Sequence, residues 1–258
     1  MLKATEITSQ NNCQIKLLRK LAQKKYRRQN SKFTVENLAI IYDALNSGFD
    51  FTALFLTQDF IDKNKEKCEY IQNKTKLIEY YLIDEALNSS YSQLDTPSGI
   101  TAVYEKIPSV FNDSKSVVYL NGIKDPGNIG TIMRTALAFD VLNIVLSPTC
   151  VDIYNFKAIS AARDSVFKLN IIEDHDGNWL NGKKGKIPIL VADSNNGVSL
   201  SEVKRGGSFC LVLGSESHGV GEDMVKIADK SIKIEISNSI ESLNVSSAAA
   251  ILLHGLSN

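Results

Sequence analysis

A chain of 258 residues with 43% hydrophobic side chains has room for one large domain or two small ones and enough apolar content for a packed core. Its 29 basic and 29 acidic side chains cancel, which excludes an overall field that would announce nucleic acid and leaves that role to local patches. No run approaches the ~18 apolar residues of a membrane span, no secretory signal opens the chain, and Cys13, Cys68, Cys150 and Cys210 form no C-x-x-C pair; the expectation is a cytoplasmic protein with reduced thiols and no membrane segment.

In chain order, a polar leader (1–12) is followed by a basic helix running to about residue 28. The stretch 16–32 holds Lys16, Arg19, Lys20, Lys24, Lys25, Arg27, Arg28 and Lys32 and no acidic residue, with Tyr26 among them. Such a run is either a solvated helix face or a phosphate-contacting one. Alternation then predicts a helix over 35–46, a strand over 51–56, a helix over 57–65, and strands over 76–83 and 99–104, an α/β sandwich. Residues 105–116 lack periodicity and are rich in turn formers, so the domain boundary is placed there, giving domains 1–107 and 108–258.

The second half restarts with a strand over 117–120, a helix over about 128–139, a strand over 142–146 and a helix over 155–163. Strands over 167–172, 187–192 and 209–213, a helix over 221–227, a strand over 231–236 and a last helix opened by Ser242 complete it. This is the pattern of a mostly parallel sheet with helices on both faces. Three of these strands end in polar turns that feed a helix: N-G-I-K-D-P-G-N after 120, G-S-E-S-H-G-V-G after 213, and S-N-S-I-E-S-L-N-V-S after 236. Ligands of open α/β sheets bind beyond the carboxyl ends of strands, so three such ends point to one composite site.

In the first block Asn128 is placed as a helix cap, with Arg134 about a turn and a half further on, where the helix N-terminus also favours an anion. In the second, Gly214, Gly219 and Gly221 surround Glu216 and permit close approach of backbone to a ligand; there is neither a Walker ending nor a G-x-G-x-x-G spacing. His218 is a candidate base, more simply an exposed loop residue. In the third, Ser242 is a cap, Leu243 an apolar wall and Asn244 both donor and acceptor. Asp174, His175 and Asp176 lack a second ligand cluster, so no metal site is assigned.

Together the three blocks resemble the SpoU (TrmH-type) family of RNA ribose 2′-O-methyltransferases of the SPOUT class, whose blocks read N-x-x-D-P-x-N-x-G-x-I-x-R-x-A, L-G-x-E-x-x-G-V and I-P-M-x-G-x-x-x-S-L-N-V-S. The matching residues are Asn121 (one residue further from the aspartate than in that pattern), Asp125-Pro126, Asn128, Gly130, Ile132, Arg134 and Ala136; Leu213-Gly214, Glu216 and Gly219-Val220; Ile234 and 242–246. The third block departs at Glu235, Ile236 and Asn238, where the family has proline, methionine and glycine; Asn238 is expected to supply the left-handed turn of that glycine.

The resemblance implies a deep trefoil knot in the C-terminal domain, an S-adenosylmethionine pocket contacted by Leu213, Gly214, Ile234 and Leu243, and a homodimer with the site at its interface. It implies catalytic roles for Arg134, Asn128, Glu216, Ser242 and Asn244. The first domain is similar to the ribosomal-protein-like RNA-binding domain of rRNA-modifying relatives, through the basic run, F-T-V-E-N at 33–37 and T-P-S-G-I at 96–100. That implies RNA contacts from Lys24, Lys25, Arg27 and Arg28, with rRNA as the substrate. The alternatives are a tRNA substrate, or a non-catalytic RNA-binding protein on the same scaffold.

Overall fold

The structure, a computed structural model, describes residues 4–75, 78–112, 114–194, 196–203, 206–215 and 219–257. The chain divides into two compact units, Met1–Ile107 with Tyr154–Ser160, and Pro108–Ile153 with Ala161–Asn258.

The first unit opens with β1 (Thr5–Ile7), α1 (Cys13–Leu21), α2 (Lys24–Asn30), β2 (Lys32–Val35) and α3 (Leu38–Asn46). It continues with β3 (Ala53–Thr57), α4 (Gln58–Lys63), α5 (Lys65–Lys74), β4 (Glu79–Ile83), α6 (Glu85–Ser89) and β5 (Ile100–Glu105). The five strands form one mixed sheet in the order β1-β4-β3-β5-β2, with β1 and β3 parallel to β4, and β5 antiparallel to both β3 and β2.

The expected single basic helix is two helices. Gln23 is extended (φ −105°, ψ 134°), and the Arg27 guanidinium folds back to donate from Nη1 to the carbonyls of Leu21 (2.7 Å) and Ala22 (2.8 Å), satisfying the orphan end of α1. α1 buries Ile15, Leu18 and Leu21 at helical spacing and leaves its basic residues outside. The expected helix over 35–46 begins later, at Leu38, because the Asn37 side chain accepts from Ala39 N and Ile40 N, and 32–35 is a strand.

The second unit contains β6 (Val117–Asn121), α7 (Pro126–Ala138), β7 (Asn143–Leu146), α9 (Ser165–Lys168), β8 (Asn170–Glu173), β9 (Ile189–Ala192), β10 (Val198–Ser199) and β11 (Cys210–Gly214), then α10 (Glu222–Ile227), β12 (Lys230–Lys233) and α11 (Val245–Ser257); α8 (Phe156–Ala162) lies across the division. The seven strands run in the order β10-β12-β9-β11-β6-β7-β8, every pairing parallel. Neighbouring residues on a strand face opposite sides, and in β6 Val117, Val118, Tyr119 and Leu120 are all fully buried, so both faces are covered, as all-parallel sheets require. Two expectations shift: the strand over 167–172 is the one-turn α9 followed by β8, and 231–236 is a strand only to Lys233.

Asp174 is structural, which accounts for the D-H-D segment: it is 4% exposed and its Oδ2 accepts from Tyr119 Oη (2.9 Å) and Trp179 N (3.2 Å). Burial, and then the neighbouring carboxylate, push the Tyr119 phenol well above its ordinary value. Among the described residues no helix is long and apolar enough to cross a membrane.

Candidate functional site

A cavity of about 940 Å³ opens at the carboxyl ends of three adjacent strands, β12, β9 and β11. Parallel pairing puts these ends at one edge of the sheet: Val212 is level with Val191, and Ile232 with Ala192. Leu213, Gly214 and Ser215 line it from the end of β11, and Ile232, Lys233, Ile234 and Ile236 from the end of β12. Ser242 and Leu243 close it with Val245, Ala248 and Leu252 of α11. Leu213, Gly214, Ile234, Leu243 and Ser242, drawn from two motif blocks, are thus brought to one wall.

Gly214 fixes the shape of that wall. A Cβ there would lie 2.1 Å from Gly219 C and 2.2 Å from Gly219 O, closer than any atoms pack, so the strand end and the returning chain meet only because residue 214 has no side chain. The closure is pinned by Gly219 N donating to Ser215 O (2.8 Å), with Gly219 itself at φ +61°. Glu216 and His218 lie outside the described residues.

The third block is built differently from the expectation. Ser242 is not the cap of α11; Asn244 is, its Oδ1 accepting from Ser246 N (2.8 Å) and Ser246 Oγ (2.6 Å). Ser242 sits in the turn before the helix and faces the cavity. Asn238 does not take the left-handed conformation, since positive φ among described non-glycine residues is confined to Ser31, Asp140 and Arg163. The turn is held instead by Ile240 N donating to Ser237 O (3.3 Å) and Ser239 N to Ser237 Oγ (3.2 Å). Glu235 is exposed and does not line the cavity, whereas Ile234 and Ile236 on either side do, so the carboxylate in place of proline does not intrude.

The first block meets the third through side chains. α7 is capped by Asp125, whose Oδ1 accepts from Asn128 N (2.7 Å), with Pro126 in the first turn; Asn128 is inside the helix and is not its cap. Asn128 Oδ1 accepts from Asn244 Nδ2 at 3.1 Å. Arg134 lies further along α7, exposed, and is not among the residues that line the cavity.

Of the basic residues expected to meet RNA, Lys25 and Arg28 are exposed and Lys24 half-buried, with the Nζ of Lys20 and Lys25 5.7 and 5.8 Å from the Tyr26 ring. Arg27 is corrected: it is 3% exposed and holds α1's last carbonyls, so its guanidinium cannot face a phosphate.

Sequence reading missed a third strand end. Val191 and Ala192 at the end of β9, and Asp193, Ser194 and Asn196 just after it, line the cavity, as do Glu222 and Lys226 of α10. The signal was present, because I-L-V-A-D-S-N-N-G has the same strand-then-polar-turn form as the other blocks. Cys210, at the start of β11, is fully buried and its thiol is pushed up to about 12 by burial, so it is an inert core residue.

The SpoU rRNA Methylase family matches residues 115–254, and the MRM3-like substrate binding domain matches 12–102. The chain is 26% identical to the 23S rRNA (guanosine(2553)-2′-O)-methyltransferase RlmP of Bacillus subtilis, over 97% of this chain and 98% of that protein. It is 34% identical over 144 residues to the 23S rRNA (adenosine(1067)-2′-O)-methyltransferase of Streptomyces laurentii, covering 55% and 53% of the two chains. The AdoMet-bound rRNA methyltransferase from Sinorhizobium meliloti shares the fold with a TM-score of 0.85 at 24% identity, over 98% of this chain and 97% of that one. Since the stretch 115–254 is more than half of the chain and takes in all three motif blocks and every residue that lines the cavity, the chain belongs to the SpoU rRNA methylase family.

Proposed function

We propose that this protein is an RNA ribose 2′-O-methyltransferase that uses S-adenosylmethionine and acts on large-subunit ribosomal RNA. The observation that carries the reading is the cavity at the ends of β9, β11 and β12, walled by Leu213, Gly214, Ile234, Ser242 and Leu243. Its residues fit the cofactor. The apolar side chains of Leu213, Ile234 and Leu243 suit a flat base, and the strand ends offer backbone donors and acceptors to its edge. The carboxylates of Asp193, Glu222 and Glu241 line the same space and suit a ligand carrying sulfonium and ammonium charges.

When bound, the sulfonium cofactor supplies an electrophilic methyl group. The chain must bring a ribose 2′-oxygen into line with it and stabilise the charge that develops as the hydroxyl proton passes to solvent water. A guanidinium stays protonated, so Arg134 serves as a cation that holds the substrate phosphate and stabilises the alkoxide; it is not the base. Asn128, Glu216, Ser242 and Asn244 organise the site around it. Arg134 is exposed on α7 and does not line its own chain's cavity. A homodimer with the site at its interface is the arrangement that brings such a guanidinium to a cavity mouth.

The C-terminal segment is read as tucked into a trefoil knot. Support comes from α11, which packs on α7 and contributes cavity wall, and from Gly255, where a Cβ would lie 2.7 Å from the Leu200 side chain. Residues 1–107 act as the RNA-binding part, through Lys24, Lys25 and Arg28. The nearly full-length likeness to a 23S rRNA enzyme and the 12–102 match support rRNA over tRNA.

Calorimetric titration with S-adenosylmethionine and methyl incorporation into rRNA test this together. Arg134→Ala is expected to abolish incorporation while cofactor affinity stays within about threefold. An equal loss of affinity would place Arg134 in the cofactor pocket and contradict the assignment.

A further inference from the structure

The side-chain bond between Asn128 and Asn244 joins positions 116 residues apart in the chain. One lies in the first turn of α7, the helix that bears Arg134; the other directly follows Ser242 and Leu243, which close the cavity. The two helices also pack on one another, which sets their separation. Packing of apolar faces leaves sliding and rotation of the helix ends loosely specified, whereas a directional bond between the ends fixes them.

The orientation of the Asn244 amide follows from its partners. Ser246 N is an obligate donor, so it requires an oxygen opposite it, and Ser246 Oγ adds a second donor to that same Oδ1. With Oδ1 committed to the start of α11, Nδ2 is turned toward α7, where Asn128 presents its oxygen. Turning the amide over would set an N–H against an N–H and leave the helix uncapped. Asn128 is fixed in turn from the other side, its backbone N–H held by Asp125 Oδ1.

We propose that Asp125, Asn128, Asn244 and Ser246 form a polar relay of positioning residues that locks the cavity-closing turn to the helix carrying Arg134, so that across the homodimer each cofactor wall keeps a fixed spacing from the activating cations. The relay rests on the methyltransferase reading. Ser246, which no part of that reading requires, orients Asn244.

A double-mutant cycle tests it. Asn244→Ser keeps a hydroxyl that caps α11 but is too short to reach α7, and Asn128→Ala removes the acceptor. Each change is expected to lower kcat about tenfold or more, with the double variant no slower than the worse single one, because the two residues make one interaction. Cofactor affinity stays within about threefold in all three. Unfolding midpoints, read without any turnover, should show the same non-additivity. Multiplicative losses in kcat with additive midpoints would overturn the relay, as would a loss of cofactor affinity matching the loss of kcat. Wild-type turnover is the separate control: its absence on every RNA would defeat the methyltransferase reading, and the midpoint cycle would still decide whether the two amides are coupled.

Discussion

Gly214 shows how a single atom decides the site. A methyl group at this position has nowhere to go, because the atoms 2.1–2.4 Å away belong to the backbone of Gly219 and Val220 and cannot rotate aside. Gly214→Ala is therefore expected to reduce S-adenosylmethionine affinity at least a hundredfold by displacing the returning chain, measured by calorimetry, while the sheet still folds. Unchanged affinity would mean that the cavity wall is not where the cofactor lies. Leu213, Gly214, Ile234, Ser242 and Leu243 were legible through the resemblance of their blocks to the family's, and all five line one cavity. What it left hidden was which polar residue caps which helix. Asp125 and Asn128, or Ser242 and Asn244, are equally good caps by residue type, and only the register of each helix chooses between them.

Among elements, the break between α1 and α2 separates two kinds of arginine that look alike in a basic run. Arg28 is exposed, while Arg27 closes α1 from within. Arg27→Ala should lower the stability of the first unit by roughly 2–4 kcal/mol, since it strips two carbonyls of a charged donor, and should leave the salt dependence of RNA binding alone. Lys25→Gln with Arg28→Gln should do the reverse, flattening the slope of log K against log[salt] by about 1.4–1.8 with little change in the unfolding midpoint. An unchanged slope would return α2 to an ordinary solvated face. The break itself was not legible, because nothing in L-A-Q-K-K forbids a continuous helix; it is held by the Arg27 side chain turning back onto the carbonyls of Leu21 and Ala22.

The same logic applies to α11, which buries Val245, Leu252, Leu253 and Leu256. At about 1.5–3 kcal/mol each, they contribute on the order of 10 kcal/mol, comparable with the ~5–15 kcal/mol stability of a whole domain. A chain ending at Ile240 should lose the cooperative unfolding of the second unit, and with it cofactor binding, while calorimetry still records the transition of the first. Two intact transitions would show that the last helix is an accessory.

At the level of the whole molecule, a neutral chain conceals an uneven arrangement, with a basic helix pair in one unit and, at the sheet edge of the other, a cavity lined by both carboxylates and lysines. The α/β class and the parallel sheet were legible from alternating elements. The strand order β10-β12-β9-β11-β6-β7-β8 was not, because crossovers leave no local trace in composition. Cysteine reactivity offers a whole-fold check. Cys13 is exposed, whereas Cys68, Cys150 and Cys210 are buried, and burial raises the thiols of Cys68 and Cys210. Iodoacetamide near pH 8 should label Cys13 in the native protein and the other three only after unfolding; native labelling of Cys210 would contradict the packing of β11. The central claim, methyl transfer to a ribose of large-subunit rRNA, is tested most directly by mapping 2′-O-methyl positions in total RNA from cells with and without this protein. One large-subunit rRNA site is expected to be lost without it and to be restored by the wild type but not by Arg134→Ala. An unchanged rRNA map, or a lost site in tRNA alone, would contradict it.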